Sequence, residues 1–175
     1  MEFLDVYTKD GQKTGQIFLR SEVHKKGLWH KAVDVWIIND NKEILIQLRS
    51  KNKENSPNMW DISAAGHASS GDSDIVAAMR ETKEELGLVL KEVDIEEIGT
   101  IHFSQKRENY INNEINKIYI VKTDKKISDM EIQEEEVSDI KFIPFFELRK
   151  KIDKKDKSFV RHDEEYQILF KYLGI

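Results

Sequence analysis

The fold is decided by one stretch of sequence, GHASSGDSDIVAAMRETKEELGL, residues 66–88. After Ser73 four side chains recur at steps of four, three and four residues, which is the spacing of one helical face: Ile75, Met79, Thr82 and Leu86. Gly87 follows at the place of a left-handed C-terminal cap. The stretch therefore predicts a helix that starts after Ser73 and ends before Gly87.

Three glutamates, Glu81, Glu84 and Glu85, lie together on this predicted helix. At about 100° per residue they fall within an arc of about 100° beside the apolar face. Like charges at this spacing repel each other, so the crowding favours a bound cation. Oxygen ligands suit Mg²⁺ and Mn²⁺, and the helix therefore predicts a divalent metal site. A solvated acidic face, with Arg80 paired to Glu84, is the alternative.

The spacing of this stretch resembles the Nudix box, which runs Gly, five residues, Glu, seven residues, Arg-Glu, an apolar residue, any residue, Glu-Glu, any residue, Gly, apolar. The matching residues are Gly66, Asp72, Arg80, Glu81, Thr82, Glu84, Glu85, Gly87 and Leu88. Two positions depart from the pattern. Asp72 replaces a glutamate and is one methylene shorter, and Thr82 replaces an apolar residue.

This resemblance implies an α/β (α+β) Nudix fold, a mixed β-sheet sandwiched between helices, and a hydrolase that cleaves a diphosphate linked to another group. It also implies Mg²⁺ or Mn²⁺ as cofactor. The implied metal ligands are Gly66, Glu81, Glu84, Glu85 and Glu114, and the implied catalytic residues are Glu84, Glu85, Arg80 and Glu114. Arg80 is expected to orient a glutamate of the box, while Glu84, Glu85 and Glu114 are alternatives for the general base.

Residues 2–123 further resemble the Nudix branch that contains isopentenyl-diphosphate isomerase, through the segments RSEVHKKGLWHKAVDVWII, LIQLRS and PNMWDISAAGH. In the isomerase, histidines and glutamates form an additional metal site, and the matching residues here are His24, His30, His67 and Glu114. The alternative for these histidines is ordinary packing and hydrogen bonding.

The isomerase also requires a cysteine beside the Gly-His pair, where this chain has Ala65 and where no cysteine stands anywhere in the sequence. A methyl group cannot transfer a proton, so the sequence favours hydrolysis. Two alternatives remain open. One is an isomerase-like enzyme that works without cysteine, and the other is a non-catalytic module that binds a nucleotide.

Substrate contacts are predicted from basic side chains close to the box: Arg49 and Lys51 at the end of a strand, and Arg20 with less support. Trp36 is predicted to lie in the core. The three consecutive acids Glu134–Glu136 are interpreted as solvated. No special role is expected for His102 or His162.

The 175 residues carry a net charge of -5, with 35% charged residues and no cysteine. Disulfides, thiolate metal sites and cysteine nucleophiles are therefore excluded. The expected partner is a small-molecule diphosphate, with neither nucleic acid nor membrane, and a homodimer through the terminal helix or the first hairpin is an open expectation. The acidic start of the chain and the absence of a long apolar run predict a cytoplasmic location.

The resemblance implies one Nudix domain over residues 1–175, with a core at about 29–155. An N-terminal hairpin extension is expected at 1–28 and a C-terminal helix at 160–175. Strands are predicted at 32–38, 43–49, 93–104 and 113–123. Ser21 is expected to cap a short helix, and residues 105–112, QKRENYIN, are expected to form a loop.

Overall fold

The computed structural model describes residues 1–108 and 110–175. Within these residues, nine strands and four α-helices follow one another. They are β1 (Phe3–Tyr7), β2 (Lys13–Leu19), α1 (Arg20–Lys26), β3 (Trp29–Ile38), β4 (Glu43–Arg49), β5 (Trp60–Asp61), β6 (Ala64–His67), α2 (Asp74–Leu86), β7 (Ile95–Arg107), β8 (Tyr110–Lys122), β9 (Val137–Pro144), α3 (Phe145–Asp153) and α4 (Asp163–Leu173).

Strand β3 is the centre of a mixed sheet. One of its edges pairs in parallel with β8 along its whole length, from Trp29 opposite Asn113 to Ile38 opposite Lys122. Its other edge is shared by three partners: β1 at Trp29, β6 over residues 32–35, and β4 at Ile38. Because β4 meets β3 at this one pair and then pairs with β9, the sheet forks between β4 and β6.

Alternation along β3 produces a core on each face of the sheet. Val33, Val35 and Ile37 are fully buried on the face that packs against α2. Trp36 is fully buried on the other face, where it packs with residues of α3 and α4. The predicted α/β class, with a sheet between helices, is therefore confirmed, and so is the core position of Trp36.

Two local predictions are corrected by the structure. The predicted loop 105–112 is largely strand, because Gln105 pairs with Asn112 and Lys106 with Ile111, and cross-strand hydrogen bonding needs no apolar side chains. Asn109, within that predicted loop, lies outside the described residues. Helix α1 starts at Arg20 without a side-chain cap, so Ser21 is inside the helix rather than at its cap.

The terminal elements are a hairpin at one end of the chain and a helix at the other. The first hairpin, β1 with β2, pairs antiparallel, and α4 closes the chain on the sheet face that carries Trp36. Among the described residues, none of the helices combines the length and the hydropathy that a bilayer crossing requires.

Candidate functional site

Helix α2 is set by its two ends and one apolar face. The hydroxyl of Ser73 accepts a hydrogen bond from the Val76 amide at 3.3 Å, and Gly87 closes the helix in the left-handed conformation, at φ 69°. Thr82 and Leu86 are fully buried on its inner face. Thr82 fits there because its hydroxyl donates to the carbonyl of Ala78 at 2.8 Å.

Glu81 lies directly against Gly66. A Cβ atom at Gly66 would overlap the carboxyl group of Glu81, so a glycine at this position is what allows the helix to approach the strand. Burial raises the pKa of Glu81 to about 7, although the neighbouring charge of Arg80 opposes the shift. Because burial disfavours the charged form of this carboxyl group, a nearby cation would stabilise its ionised state.

Arg80 connects the box glutamates to the strand. Its guanidinium donates to Glu81 at 2.7 Å, to Glu84 at 3.3 Å and to the carbonyl of His67 at 2.8 Å. Its contact with Asp72 is long, at 3.4 Å, which agrees with the shorter reach of aspartate at this position of the box. The geometry supports the predicted orienting role of Arg80.

Glu85 occupies the fork between β4 and β6. It is 4% exposed, and its Oε2 accepts from the side-chain amide of Gln47 on β4 and from the backbone amide of Ala65 on β6, both at 3.1 Å. Burial raises the pKa of Glu85 to about 8, although the positive charge of Lys53 opposes the shift. Glu84, in contrast, has a half-exposed side chain.

A second cluster lies on the opposite face of β3 and draws on four elements: His24 of α1, His30 of β3, His67 of β6 and Glu114 of β8. One ligand atom from each residue lies within 4.8 Å of all the others. The Nε2 of His67 is 3.3 Å from Glu114 Oε1, and the Nε2 of His30 is 3.7 Å from it. The structure therefore brings these four predicted residues together.

The ring orientations of two of these histidines are set by backbone carbonyls. The Nδ1 of His24 contacts the carbonyl of Arg20 at 2.9 Å, and the Nδ1 of His30 contacts that of Leu28 at 3.1 Å. Because a carbonyl can only accept, each Nδ1 carries the proton, which leaves each Nε2 as an acceptor. Both Nε2 atoms are buried without a hydrogen-bond partner among the described residues.

The electrostatics of this second cluster favour a neutral His24 near an ionised Glu114. Burial, with His30 and His67 nearby, lowers the pKa of His24 to about 4. Burial alone would raise the pKa of Glu114, but its contacts with His30 and His67 hold that pKa well below its usual range. Neutral nitrogens and an ionised oxygen are the states in which such residues bind metals.

The three basic residues predicted to contact phosphate differ in exposure and in ion pairing. Arg49 forms a 2.9 Å ion pair with the buried Asp61, Arg20 pairs with Glu2, and Lys51 is exposed. Lys53, which the sequence did not single out, pairs with Glu136. The interpretation of all three acids as solvated is therefore wrong for Glu136. No pattern in the sequence indicates the role of Lys53, because its pairing depends on the tertiary structure.

A buried ionic cluster was missed by the sequence interpretation. The Nε2 of His162 lies 2.7 Å from Asp61, and the indole of Trp36 donates to Glu165 at 2.6 Å. Asp61 is 5% exposed and Glu165 is fully buried. The expectation that His162 has no special role is wrong, because its imidazole, directly before α4, faces these carboxylates.

Comparison with known proteins agrees with the geometry of α2 and the sheet. A family model described as NUDIX domain matches residues 28–163. The chain belongs to the Nudix family. An uncharacterized Nudix hydrolase of Listeria monocytogenes is 34% identical over 85% of this Nudix chain and 83% of its own length. Nudix hydrolase 3 of Arabidopsis thaliana is 42% identical over 97% of the chain, which spans 23% of that protein.

These relatives confirm the predicted family, and both carry the name Nudix hydrolase. The fold is confirmed by the crystal structure of DR0079 from Deinococcus radiodurans. Its TM-score to this Nudix chain is 0.71 at 20% identity, covering 95% of this chain and 97% of that one. The predicted likeness to isomerases is also present, since isopentenyl-diphosphate Delta-isomerase 2 of Photorhabdus laumondii is 30% identical over 74% of the chain and 71% of its own length.

Proposed function

We propose that this Nudix protein is a Mg²⁺- or Mn²⁺-dependent hydrolase that cleaves the diphosphate bond of a nucleoside-diphosphate-linked or related small molecule. The observation that carries the proposal is the arrangement of the box carboxylates. Glu81 is held against Gly66, Glu85 is held in the fork of the sheet, and Glu84 is left half exposed beside them. Burial raises the pKa values of Glu81 and Glu85, and a divalent cation bound beside them would favour their ionised forms.

A divalent ion bound there would neutralise the diphosphate and lower the pKa of a bound water. The residues that would hold it are Glu81, Glu84 and Glu85, with the carbonyl of Gly66. Arg80 orients Glu81 and Glu84. Among the three candidates for the general base we favour Glu84, because its half-exposed carboxylate can reach solvent water, whereas Glu85 is buried and Glu114 contacts two histidines.

Phosphate binding is proposed for Arg20, at the start of α1, and for the basic residues at and after the end of β4. Arg49, Lys51 and Arg20 stay candidates, and Lys53 joins them because its charge acts on the carboxylate of Glu85. Arg49 is held by the buried Asp61, so the exposed Lys51 and the more exposed ion pair of Lys53 leave those two lysines with more freedom to move toward a phosphate.

The first experiment is incubation with Mg²⁺ or Mn²⁺ and a panel of phosphate compounds, with products identified by mass. The panel contains nucleoside di- and triphosphates, nucleotide sugars, dinucleotides and isopentenyl diphosphate. We expect cleavage of a phosphoanhydride that is lost in Glu84→Gln. An isomerised product without cleavage would replace the proposal by the isomerase alternative. Tight binding without turnover would favour the binding module.

We also propose a second metal site at His24, His30, His67 and Glu114, for an ion such as Mn²⁺ or Zn²⁺ that accepts imidazole ligands. The support is the pair of buried Nε2 atoms, whose rings are already oriented by backbone carbonyls. Calorimetric titration with Zn²⁺ should show one binding event that His30→Ala removes and His102→Ala, at an exposed strand position, retains. Equal Zn²⁺ binding by both variants would contradict this proposal.

A further inference from the structure

Gln47 lies outside the box, but its side-chain amide donates one of the two hydrogen bonds that the carboxylate of Glu85 accepts. Gln47 is on β4 and is 3% exposed, and its Nε2 donates to Oε2 of Glu85 at 3.1 Å. The second donor, the amide of Ala65, reaches the same oxygen at the same distance from the other side of the fork.

The convergence of both donors on Oε2 determines which oxygen of Glu85 is left for a ligand. A carboxylate has two oxygens, and each accepts about two hydrogen bonds. With Oε2 occupied by Gln47 and Ala65, Oε1 has no hydrogen-bond donor among the described residues. The amides of Gln47 and Ala65 together therefore fix the rotation of the carboxylate about its terminal bond.

We infer that Gln47 is a positioning residue that orients Glu85 toward a Mg²⁺ ion through Oε1. The inference rests on the proposed function, because it takes Glu85 as a metal ligand. A donor fixed on a strand is effective here, since ordering the carboxylate before the ion arrives reduces the entropy lost on binding.

The test is Gln47→Met, which keeps the length and approximate volume of the side chain but removes the donor. Mg²⁺ is the probe because it prefers oxygen ligands, so it reports on the glutamates rather than on the histidine cluster. Calorimetry should show Mg²⁺ binding weakened about tenfold, the effect of losing one hydrogen bond to a charged group. The Mg²⁺ concentration for half-maximal hydrolysis should rise by the same factor, with the substrate KM at saturating Mg²⁺ unchanged.

The matched control is Ser63→Ala. Ser63 is also fully buried, between β5 and β6, where its hydroxyl donates to the carbonyl of Leu45 and accepts from the amide of Ile37 rather than bonding to Glu85. This variant should lower the melting temperature and keep the wild-type Mg²⁺ affinity. Wild-type Mg²⁺ affinity in Gln47→Met, or an equal loss of affinity in Ser63→Ala, would overturn the inference.

Failure of the proposed function would have a different signature. Weakened Mg²⁺ binding in Gln47→Met without hydrolysis of any compound by the wild type would support the positioning role and contradict the activity. Equal Mg²⁺ binding by the wild type and Glu85→Gln would contradict the assignment of Glu85 as a metal ligand. The inference about Gln47 would fall with it.

Discussion

Gly66 is the residue at which the box helix meets the sheet. Its backbone is not left-handed, so an alanine could adopt the same conformation, and the need for glycine comes from the carboxyl group of Glu81. Overpacking of a filled site of this kind costs about 1–3 kcal/mol. Glu81 therefore occupies its position because Gly66, on the neighbouring strand, has no Cβ atom there.

We predict that Gly66→Ala lowers the free energy of unfolding by about 2 kcal/mol and reduces hydrolysis at least tenfold, because Glu81 must leave its place. The cost to stability should fall below about 0.5 kcal/mol when Gly66→Ala is made in Glu81→Ala, where nothing remains to overlap. Urea unfolding of the four proteins in this double-mutant cycle is the measurement. Additive effects would show that the overlap with Glu81 is not the cause.

At the scale of an element, α4 is joined to the sheet by charge as well as by apolar packing. His162 precedes the helix and faces Asp61 of β5, whose other oxygen is paired with Arg49. Removing one partner from a buried pair leaves an uncompensated charge, which costs several times as much as losing an exposed pair. His162 is therefore more important for docking α4 than its place in a polar segment suggests.

We predict that His162→Leu destabilises the protein by about 3 kcal/mol, the cost of leaving the carboxylate of Asp61 with one partner fewer in the interior. The neighbouring Arg161→Ala breaks an exposed ion pair with Asp163 and should change stability by less than about 1 kcal/mol. Both are measured by urea unfolding at pH 7. Similar values for the two variants would mean that the buried pair does not hold the helix.

At the scale of the whole molecule, the ionic cluster under α4 makes stability depend on pH. Burial disfavours the charged imidazole, yet Asp61, with Glu165 and Asp34, raises the pKa of His162 to about 10. The ordinary pKa of histidine is about 6.5, so the stabilisation is fully present below about pH 6.5 and is lost as the pH rises through 10. Glu165, whose pKa is raised by burial, acts in the same direction.

We predict that the free energy of unfolding of the wild type falls by about 2 kcal/mol or more between pH 7 and pH 10. The fall should be smaller in His162→Leu, which lacks the proton that the native state releases over this range. Urea unfolding of both proteins at several pH values tests the prediction. Parallel curves for the two proteins would assign the loss of stability to other groups.

Local features of this protein followed from the sequence because neighbouring residues encode them. The apolar spacing of α2, its start after Ser73, its cap at Gly87 and the hairpin strands all depend on residues a few positions apart. The missed strand pairing within 105–112 shows the limit of this approach, since polar side chains conceal backbone pairing that a partner strand provides.

The box helix with its three glutamates, the alternation that places Trp36 in the core and the exclusion of thiol chemistry were all evident from the sequence. Only the tertiary structure decided which side chains meet. Gln47 reaches Glu85 because β4 leaves β3 at the fork, and His162 reaches Asp61 across 101 positions. Such contacts depend on strand order and on the packing of distant elements. The spacing of apolar residues along a short segment does not encode either of them.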